Sequence, residues 1–448
     1  MKKRELIGYG AATIADAAPY NFVTVYLILF LTTIAGLSPE KAGTVSSVII
    51  LANGITGAFI GCISDHTKSK YGRRRPYILA GMFPLAIGLS LLFTSFQAGT
   101  AFQTAFYIFA GLMFWTGFST YYTPYTALGA ELTSDYNERS VLRTIARFFG
   151  IGGNLIGSAL PLAAVGYLKN TGMTDSSSWF AVAVFVAVIS GTGIAVTWRT
   201  TRGKENPSNV IEGKLSLRDV MGEYVNIFRL KPFRYIIGIV AAFIIANTFY
   251  NSSMVFFARY SLGISDGVTS SIFMISIAAN LVYTPVIGFC AVKFGKKATV
   301  AVSMLISGFG GIIFYICGID SYFKMGLYTV IFSLSYTCYW QLINALLYDI
   351  SEVAEYKIGR RLEGTISSAT SLVFTCFTSV AAQLLGWVLK FGFTDSAYML
   401  MPGVFLCIAA VIQLKYPVNK ESFNKLAEAL SCKKAGKPVD EHGLERII

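Results

Sequence analysis

Long apolar segments separated by short charged loops run through the whole sequence. A helix needs about 20 apolar residues to cross a bilayer. Twelve segments reach that length, and they lie near residues 6–35, 40–64, 77–97, 101–130, 142–168, 178–199, 234–262, 267–292, 298–318, 322–350, 364–392 and 395–415. Membrane strands are disfavoured because these segments are too long and do not alternate in polarity. The sequence therefore predicts an all-α membrane protein with twelve transmembrane helices.

The composition agrees with a lipid environment. Only 14% of the 448 residues are charged, whereas 54% are hydrophobic, and a soluble domain carries about 25% charged residues. The net charge of +13 is spread over the loops, which argues against nucleic acid as a partner. The chain begins MKKREL and enters a long helix with no small-residue cleavage site, so no removable signal peptide is predicted. The seven cysteines form no CxxC pair, and we expect free thiols rather than disulfides or metal ligands.

Lys and Arg concentrate in every second loop. The densest group runs from Lys68 to Arg75, and the alternate loops hold few basic residues. Cytoplasmic loops of membrane proteins retain Lys and Arg. The pattern predicts an integral protein of the cell membrane with both termini in the cytoplasm.

The sequence repeats itself weakly. KYGRR and KFGKK, which contain Gly72 and Gly295, follow the second and eighth segments. Glu131 in YTALGAELTSDYNER and Asp349 in INALLYDISEVAEYK are separated by nearly the same length of chain as the two glycines. Such duplication is common in transporters, whose substrate sites lie near mid-membrane. It predicts a six-helix bundle at 1–199, a cytoplasmic connector at 200–233, a second six-helix bundle at 234–415 and a cytoplasmic tail at 416–448.

One carboxylate stands well inside a predicted span. Asp16 lies about ten residues into the first segment, and Pro19 frees a backbone carbonyl near it. Embedded polar residues are expensive and usually face a cavity. Asp16 could take up a proton, hold sodium or accept hydrogen bonds from sugar hydroxyls, or it could form only a local salt bridge or helix-packing hydrogen bond. Neither histidine is embedded, which excludes an embedded histidine relay.

Aromatic and amide side chains are unusually frequent in four of the other spans. The residues concerned are Trp115, Tyr121, Tyr122, Tyr125, Asn247, Tyr250, Asn251, Asn280, Tyr283, Tyr339, Trp340, Gln341 and Asn344. Aromatic rings stack on the apolar faces of sugars and amides recognise hydroxyls, so the set suits a small polyol-like ligand. For any single tyrosine, helix packing or an interfacial position is the alternative.

Three segments carry a resemblance to a known family. They are SDHTKSKYGRRRPYIL, PYTALGAELTSDYNERSVLR shortly before ARFFG, and YDISEVAEYKIGRRLEG. The first resembles the loop 2–3 signature of the major facilitator superfamily, and together they resemble the glycoside–pentoside–hexuronide:cation symporters. The resemblance implies the two-bundle major facilitator fold and alternating access. It also implies a cytoplasmic latch, made of Gly61, Asp65, Gly72, Arg73 and Arg74, because such charged contacts can form in one conformation and break in another. The alternative is that the basic turn serves topology alone.

The sequence departs from this family where the cation and the sugar would bind. Asn53 and Gly57 stand where the family has two cation-binding acids, leaving the neutral oxygens of Asn53 and Thr56. Tyr122 stands in place of a sugar-binding Asp, and Thr375 in place of a Lys, whereas Arg147 and Trp340 match. A hard cation with few charged ligands binds weakly. We therefore expect proton coupling through Asp16, with sodium coupling and uncoupled flux left open.

These observations give one leading prediction. The protein is expected to be a monomeric secondary transporter of a sugar or glycoside, with H+ or Na+ as coupling ion and no cofactor. The predicted substrate-binding residues are Asp16, Tyr121, Tyr122, Tyr125, Arg147, Asn251, Trp340, Asn344 and Thr375. The alternatives are a carrier of a lipid-like solute and a non-transporting membrane sensor. ATP-driven transport is disfavoured because no phosphate-binding GxxxxGK[ST] motif occurs, and an enzyme is disfavoured because the embedded residues offer no nucleophile–base pair.

Overall fold

The computed structural model describes residues 3–67, 69, 72, 74–132, 136–203, 217–358 and 363–434. Over these residues the chain forms helices and no strand, which confirms the predicted all-α architecture. The first seven helices are α1 (Lys3–Thr33), α2 (Pro39–His66), α3 (Arg75–Leu92), α4 (Thr100–Glu131), α5 (Tyr136–Asn154), α6 (Leu160–Asn170) and α7 (Asp175–Thr200). The remaining eight are α8 (Leu217–Phe228), α9 (Lys231–Phe256), α10 (Asp266–Phe294), α11 (Lys296–Cys317), α12 (Tyr322–Ile358), α13 (Glu363–Lys390), α14 (Met401–Leu414) and α15 (Lys420–Lys434).

Eleven helical stretches of the described chain are long and apolar enough to cross a membrane. The helix α2 occupies the remaining predicted span, near 40–64. The longest helix, α12, has 37 residues and continues past the predicted end of its span at residue 350.

Three π-helical turns interrupt or extend the spans, and sequence reasoning did not predict them. They cover Leu155–Ala159, Phe257–Ser261 and Ser396–Leu400. The first and third lie directly before α6 and α14, whose opening turns contain Pro161 and Pro402. Proline lacks an N–H and its ring clashes with the carbonyl four residues earlier, so a locally wider turn lets each span continue past its proline.

Two short helices lie outside the predicted spans. The helix α8 belongs to the predicted connector, and α15 belongs to the predicted tail. Asn419 and Ser422 cap α15 reciprocally, because each side chain accepts a hydrogen bond from the backbone N–H of the other residue. This exchange satisfies N–H groups at the start of the helix.

The described chain divides into two compact units, which we call unit 1 and unit 2. Unit 1 comprises Met1–Gly213, Asn251–Met274 and Thr378–Thr394, and unit 2 comprises Lys214–Tyr250, Ile275–Phe377 and Asp395–Ile448. This partition follows spatial packing and differs from the sequence halves at 1–199 and 234–415. The predicted halves therefore remain an interpretation of the repeat.

Each unit contains an aromatic core. In unit 1, Phe22 stacks on Phe93 with ring centroids 4.3 Å apart, and Trp179 packs against both rings. In unit 2, Tyr250 stacks on Phe332 with centroids 3.7 Å apart. Buried rings contribute large apolar areas and favour one packing geometry, so each core holds its helices in a fixed arrangement.

Candidate functional site

Asp16 lies on the face of α1 that packs toward α4. Two turns before it, the Tyr9 ring stacks on Tyr125 with centroids 4.5 Å apart. One turn after it, Tyr20 meets Trp115 edge-on at 5.7 Å. Asp16 itself is half-buried, and no described residue gives its carboxylate a hydrogen bond or an ion pair. The predicted carboxylate is thus present between two layers of aromatic contacts, with its charge uncompensated by any described residue.

The three predicted tyrosines of α4 all lie within electrostatic range of Asp16. Two of their hydroxyls are already used in helix packing. Tyr121 donates to the carbonyl oxygen of Ala12 at 3.1 Å, and Tyr125 donates to that of Tyr9 at 3.0 Å. Both side chains are buried. These bonds favour the packing alternative for Tyr121 and Tyr125, whose contact with a substrate remains a prediction.

Tyr122 differs from its two neighbours. Its ring is half-buried and stacks on Phe118 with centroids 5.4 Å apart. Its hydroxyl has no hydrogen-bond partner among the described residues. Tyr122 therefore combines proximity to Asp16 with a hydroxyl able to bind a ligand.

A polar pair that sequence reasoning missed joins α1 to α5. The Asn21 amide donates to Asn154 Oδ1 at 2.8 Å and to the carbonyl oxygen of Ala17 at 2.7 Å. Arg147, two turns before Asn154 on the same face of α5, is exposed and has no partner among the described residues. Two asparagines in apolar segments were the available signal, because embedded amides usually bond across helices.

The predicted cation residues lie between α2 and α4. Asn53 Oδ1 accepts a hydrogen bond from the Ser119 hydroxyl at 2.6 Å. The Thr56 hydroxyl donates to the carbonyl oxygen of Ala52 at 2.9 Å and lies 3.5 Å from Ser119 Oγ. A Cβ placed on Gly57 would lie 3.6 Å from Ser119 Oγ, in ordinary contact. The region between α2 and α4 offers neutral oxygens that are already hydrogen-bonded. None of these described residues supplies a carboxylate.

The basic turn is described only in part. Arg73 and the side chain of Asp65 lie outside the described residues, so the latch remains a prediction. Gly61 lies within α2, and Arg74, directly before α3, is buried. Gly72 has a φ of 103°, and Gly295 of the repeat has a φ of 86°. Only glycine adopts this backbone region readily, so both copies of the repeat use glycine to make the turn.

Arg75 is held inside unit 1 by the end of α7. Its guanidinium donates to the carbonyl oxygen of Trp198 at 2.6 Å and lies 4.9 Å from the centre of the Trp198 ring. The side chain is only 3% exposed. A topology signal requires no such burial, so this residue of the basic turn also joins α3 to α7.

In unit 2, a polar seam joins α10 to α12. The hydroxyls of Ser276 and Ser333 are 3.0 Å apart, and Thr337 donates to Asn280 Oδ1 at 2.8 Å. One turn further along, Gln341 donates to the carbonyl oxygen of Thr284 at 3.2 Å. The two members of every pair are equally far apart in the sequence. Successive pairs also advance by four residues, about one turn, along each helix, so the seam follows one face of each helix.

The remaining predicted substrate residues occupy different surroundings. Trp340 is 37% exposed beside the seam, and Asn344, one turn later, is exposed. Thr375 is buried and donates to the carbonyl oxygen of Ser371 in its own helix at 3.0 Å. Asn251 lies in unit 1, next to Ser252, whose hydroxyl donates to the carbonyl oxygen of Thr24 at 2.9 Å.

The charged residues of the second repeat are in contact. Lys296 Nζ lies 2.6 Å from Asp349 Oδ1 and therefore ties α11 to α12. Lys296 directly follows Gly295, as Arg73 follows Gly72 in the first copy. The second copy thus places its basic turn against the acidic end of a neighbouring helix.

The long apolar helices are those of an integral membrane protein. Residues 8–420 match the family described as MFS/sugar transport protein. The chain therefore belongs to that family, whose members are transporters rather than enzymes.

Curated relatives extend over nearly the same length. The chain is 25% identical to the isoprimeverose transporter of Lactiplantibacillus pentosus over 443 residues, which cover 95% of this chain and 90% of the relative. It is 23% identical to the glucuronide carrier protein homolog of Escherichia coli (strain K12), with 96% of each chain covered.

A solved structure shows the same fold. The crystal structure of a POT family transporter in complex with a thioalcohol-conjugated peptide superposes with a TM-score of 0.70 at 14% identity. The match covers 92% of this chain and 96% of that chain. The expected major facilitator fold is thus confirmed.

Proposed function

We propose that this protein is a sugar–proton symporter in which Asp16 carries the coupling proton and takes part in sugar binding. It would act as a monomer in the cell membrane, with both termini in the cytoplasm. Relatives named for isoprimeverose and glucuronide support a sugar or glycoside as substrate. They do not favour a lipid carrier or a sensor.

The observation that carries the proposal is the carboxylate of Asp16, which no described residue compensates. An embedded charge without a partner is expensive unless the protein uses it. Tyr122, whose hydroxyl has no described partner, lies within electrostatic range of Asp16. A carboxylate and a hydroxyl on one aromatic face can hydrogen-bond to a sugar whose apolar side stacks on a ring.

Sodium coupling is the less favoured form of the same function. The oxygens of Asn53, Thr56 and Ser119 are neutral and already hydrogen-bonded. Sodium would have to compete for these oxygens without a nearby anion, and hard cations bind best to carboxylates. A proton needs only one acceptor, and Asp16 supplies it.

The test is uptake into vesicles under an imposed pH gradient and, separately, under a sodium gradient. The labelled candidates are a neutral glycoside, a pentoside and a hexuronide. We expect the pH gradient to drive accumulation of one of them. Asp16→Asn should abolish accumulation while substrate-for-substrate exchange continues, because exchange needs no net proton movement.

Asp175→Asn is the matched control. It also removes a carboxylate, but from an exposed ion pair with Lys169 in unit 1. Accumulation should survive in this variant. Sodium-driven accumulation that persists in Asp16→Asn would contradict the coupling role of Asp16.

A further inference from the structure

Three cations cluster where α8 leads into α9. Arg229, Lys231 and Arg234 are exposed, and none of them has an ion-pair partner among the described residues. The membrane-spanning stretch begins at Lys231. The cluster therefore lies where the chain enters the membrane.

The segment before the cluster is fixed to unit 2. The Tyr224 hydroxyl donates to Ser368 Oγ at 3.1 Å, which ties α8 to α13. Ile227 and Leu230 are almost completely buried, with exposures of 0% and 1%. These contacts hold the following cations in a defined position rather than on a free loop.

An apolar stripe adjoins the cations. Val225 and Phe228, one turn apart on α8, are 47% and 38% exposed. Arg229 follows Val225 by one turn, so positive charge and apolar surface share one edge of the helix. A soluble anion would explain the cations but not the apolar pair beside them.

The sequence beside the cluster contains no acidic residue. The nearest acids along the chain, Asp219 and Glu223, precede it in the first two turns of α8, and the next is Asp266. The first turn of α9 contains no acidic residue. The start of that helix adds further positive potential.

We propose that this surface binds the headgroup of an anionic phospholipid, with the acyl chains lying against Val225 and Phe228. Basic groups beside a transmembrane helix attract anionic lipids, and an amphipathic helix at the interface buries its apolar face among acyl chains. The proposal rests on the proposed orientation only for the leaflet, which would be cytoplasmic. It does not depend on the transported substrate.

The experiment measures lipid retained by the purified full-length protein in detergent, by mass spectrometry of the intact complex. Phosphatidylglycerol and phosphatidylcholine are supplied in equal amounts. The parent should retain phosphatidylglycerol preferentially. The triple variant Arg229→Gln, Lys231→Gln, Arg234→Gln should weaken that retention by about tenfold or more, because each cation adds to the attraction.

The matched control removes three other exposed cations, with Arg199→Gln, Arg202→Gln and Lys415→Gln. It should retain phosphatidylglycerol like the parent. Equal losses in both triple variants would mean that general surface charge attracts the lipid, and would overturn the proposal.

A second variant tests the apolar part. Val225→Ser with Phe228→Ser should reduce phosphatidylglycerol retention while leaving the charge unchanged. Inorganic phosphate at millimolar concentration should not displace the lipid. Displacement by phosphate, or full retention by the serine variant, would show a site for a free anion and contradict a lipid site.

Discussion

Two neighbouring tyrosines on α4 differ in whether their hydroxyls are used in helix packing or are available to a ligand. Tyr121 donates its hydroxyl to the carbonyl oxygen of Ala12, whereas the Tyr122 hydroxyl has no described partner. An unmade hydrogen bond to a buried group costs about 1–3 kcal/mol. Removal of the Tyr121 hydroxyl should therefore lower the stability of the fold, whereas removal of the Tyr122 hydroxyl should weaken substrate binding.

Tyr122→Phe should weaken sugar affinity by about tenfold, the equivalent of one hydrogen bond of about 1.4 kcal/mol. The variant should keep the parent's melting temperature. Tyr121→Phe should lower the melting temperature by several degrees and leave affinity nearly unchanged. Sugar binding and thermal unfolding of both purified variants check the two results, and an unchanged affinity in Tyr122→Phe would remove that residue from the site.

The neutral residues between α2 and α4 allow a gain-of-function test. Asn53→Asp with Gly57→Asp would place two carboxylates beside the hydroxyls of Ser119 and Thr56. Space at Gly57 permits a side chain, since its Cβ would make only ordinary contacts. We expect sodium to bind this variant and to stimulate its uptake, because carboxylates are the ligands that the neutral site lacks.

Uptake with sodium or with potassium, at equal ionic strength, measures the effect. The control is Asn53→Gln with Gly57→Ala, which changes size without adding charge and should show no sodium response. If the double-acid variant responds to sodium no more than this control, the result would contradict a cation site between α2 and α4.

At the scale of helices, α2 and α13 make a close contact inside unit 1. A Cβ on Gly43 would lie 2.9 Å from the carbonyl oxygen of Ala382 and 3.0 Å from the Cα of Gly386. One turn further along α2, the hydroxyls of Ser47 and Ser379 are 2.8 Å apart. The contacts at Gly43 are with backbone atoms, which cannot yield to a larger side chain.

Gly43→Leu should force α2 and α13 apart. In a cysteine-free background, cysteines at Ser47 and Ser379 should form a disulfide readily, because their hydroxyls are already in contact. Adding Gly43→Leu should reduce that cross-linking by about tenfold or more, given the cost of overpacking. Gly152→Leu is the control, since open space surrounds that glycine, and equal cross-linking in both variants would contradict the contact.

Sequence patterns predicted where the helices lie better than which residues of different helices contact one another. Hydropathy located the spans because a bilayer fixes their length. The pairing of Asn21 with Asn154, and the separate roles of Tyr121 and Tyr122, depend on how each helix is rotated. Period and composition do not specify that rotation when nearly every face of a helix is apolar.

At the scale of the whole molecule, each unit contains a similar hydrogen bond between an asparagine and a hydroxyl on another helix. In unit 1, Asn53 on α2 accepts from Ser119 on α4, and in unit 2, Asn280 on α10 accepts from Thr337 on α12. Thr337 follows Ser119 at the same interval along the sequence as Asp349 follows Glu131. The weak sequence repeat therefore extends to hydrogen bonds. The asparagines correspond less closely. If the interval from Gly72 to Gly295 is applied to Asn53, the expected position lies about one helical turn before Asn280.

The orientation of the whole molecule gives the last prediction. Basic residues concentrate in alternate loops, which places the turn before α7 outside the cell and the segment after α7 in the cytoplasm. Ser177 and Arg202 are exposed at these two places. In a cysteine-free background, Ser177→Cys should react with a membrane-impermeant maleimide in intact cells. Arg202→Cys should react only after permeabilisation, and its labelling in intact cells would reverse the proposed orientation.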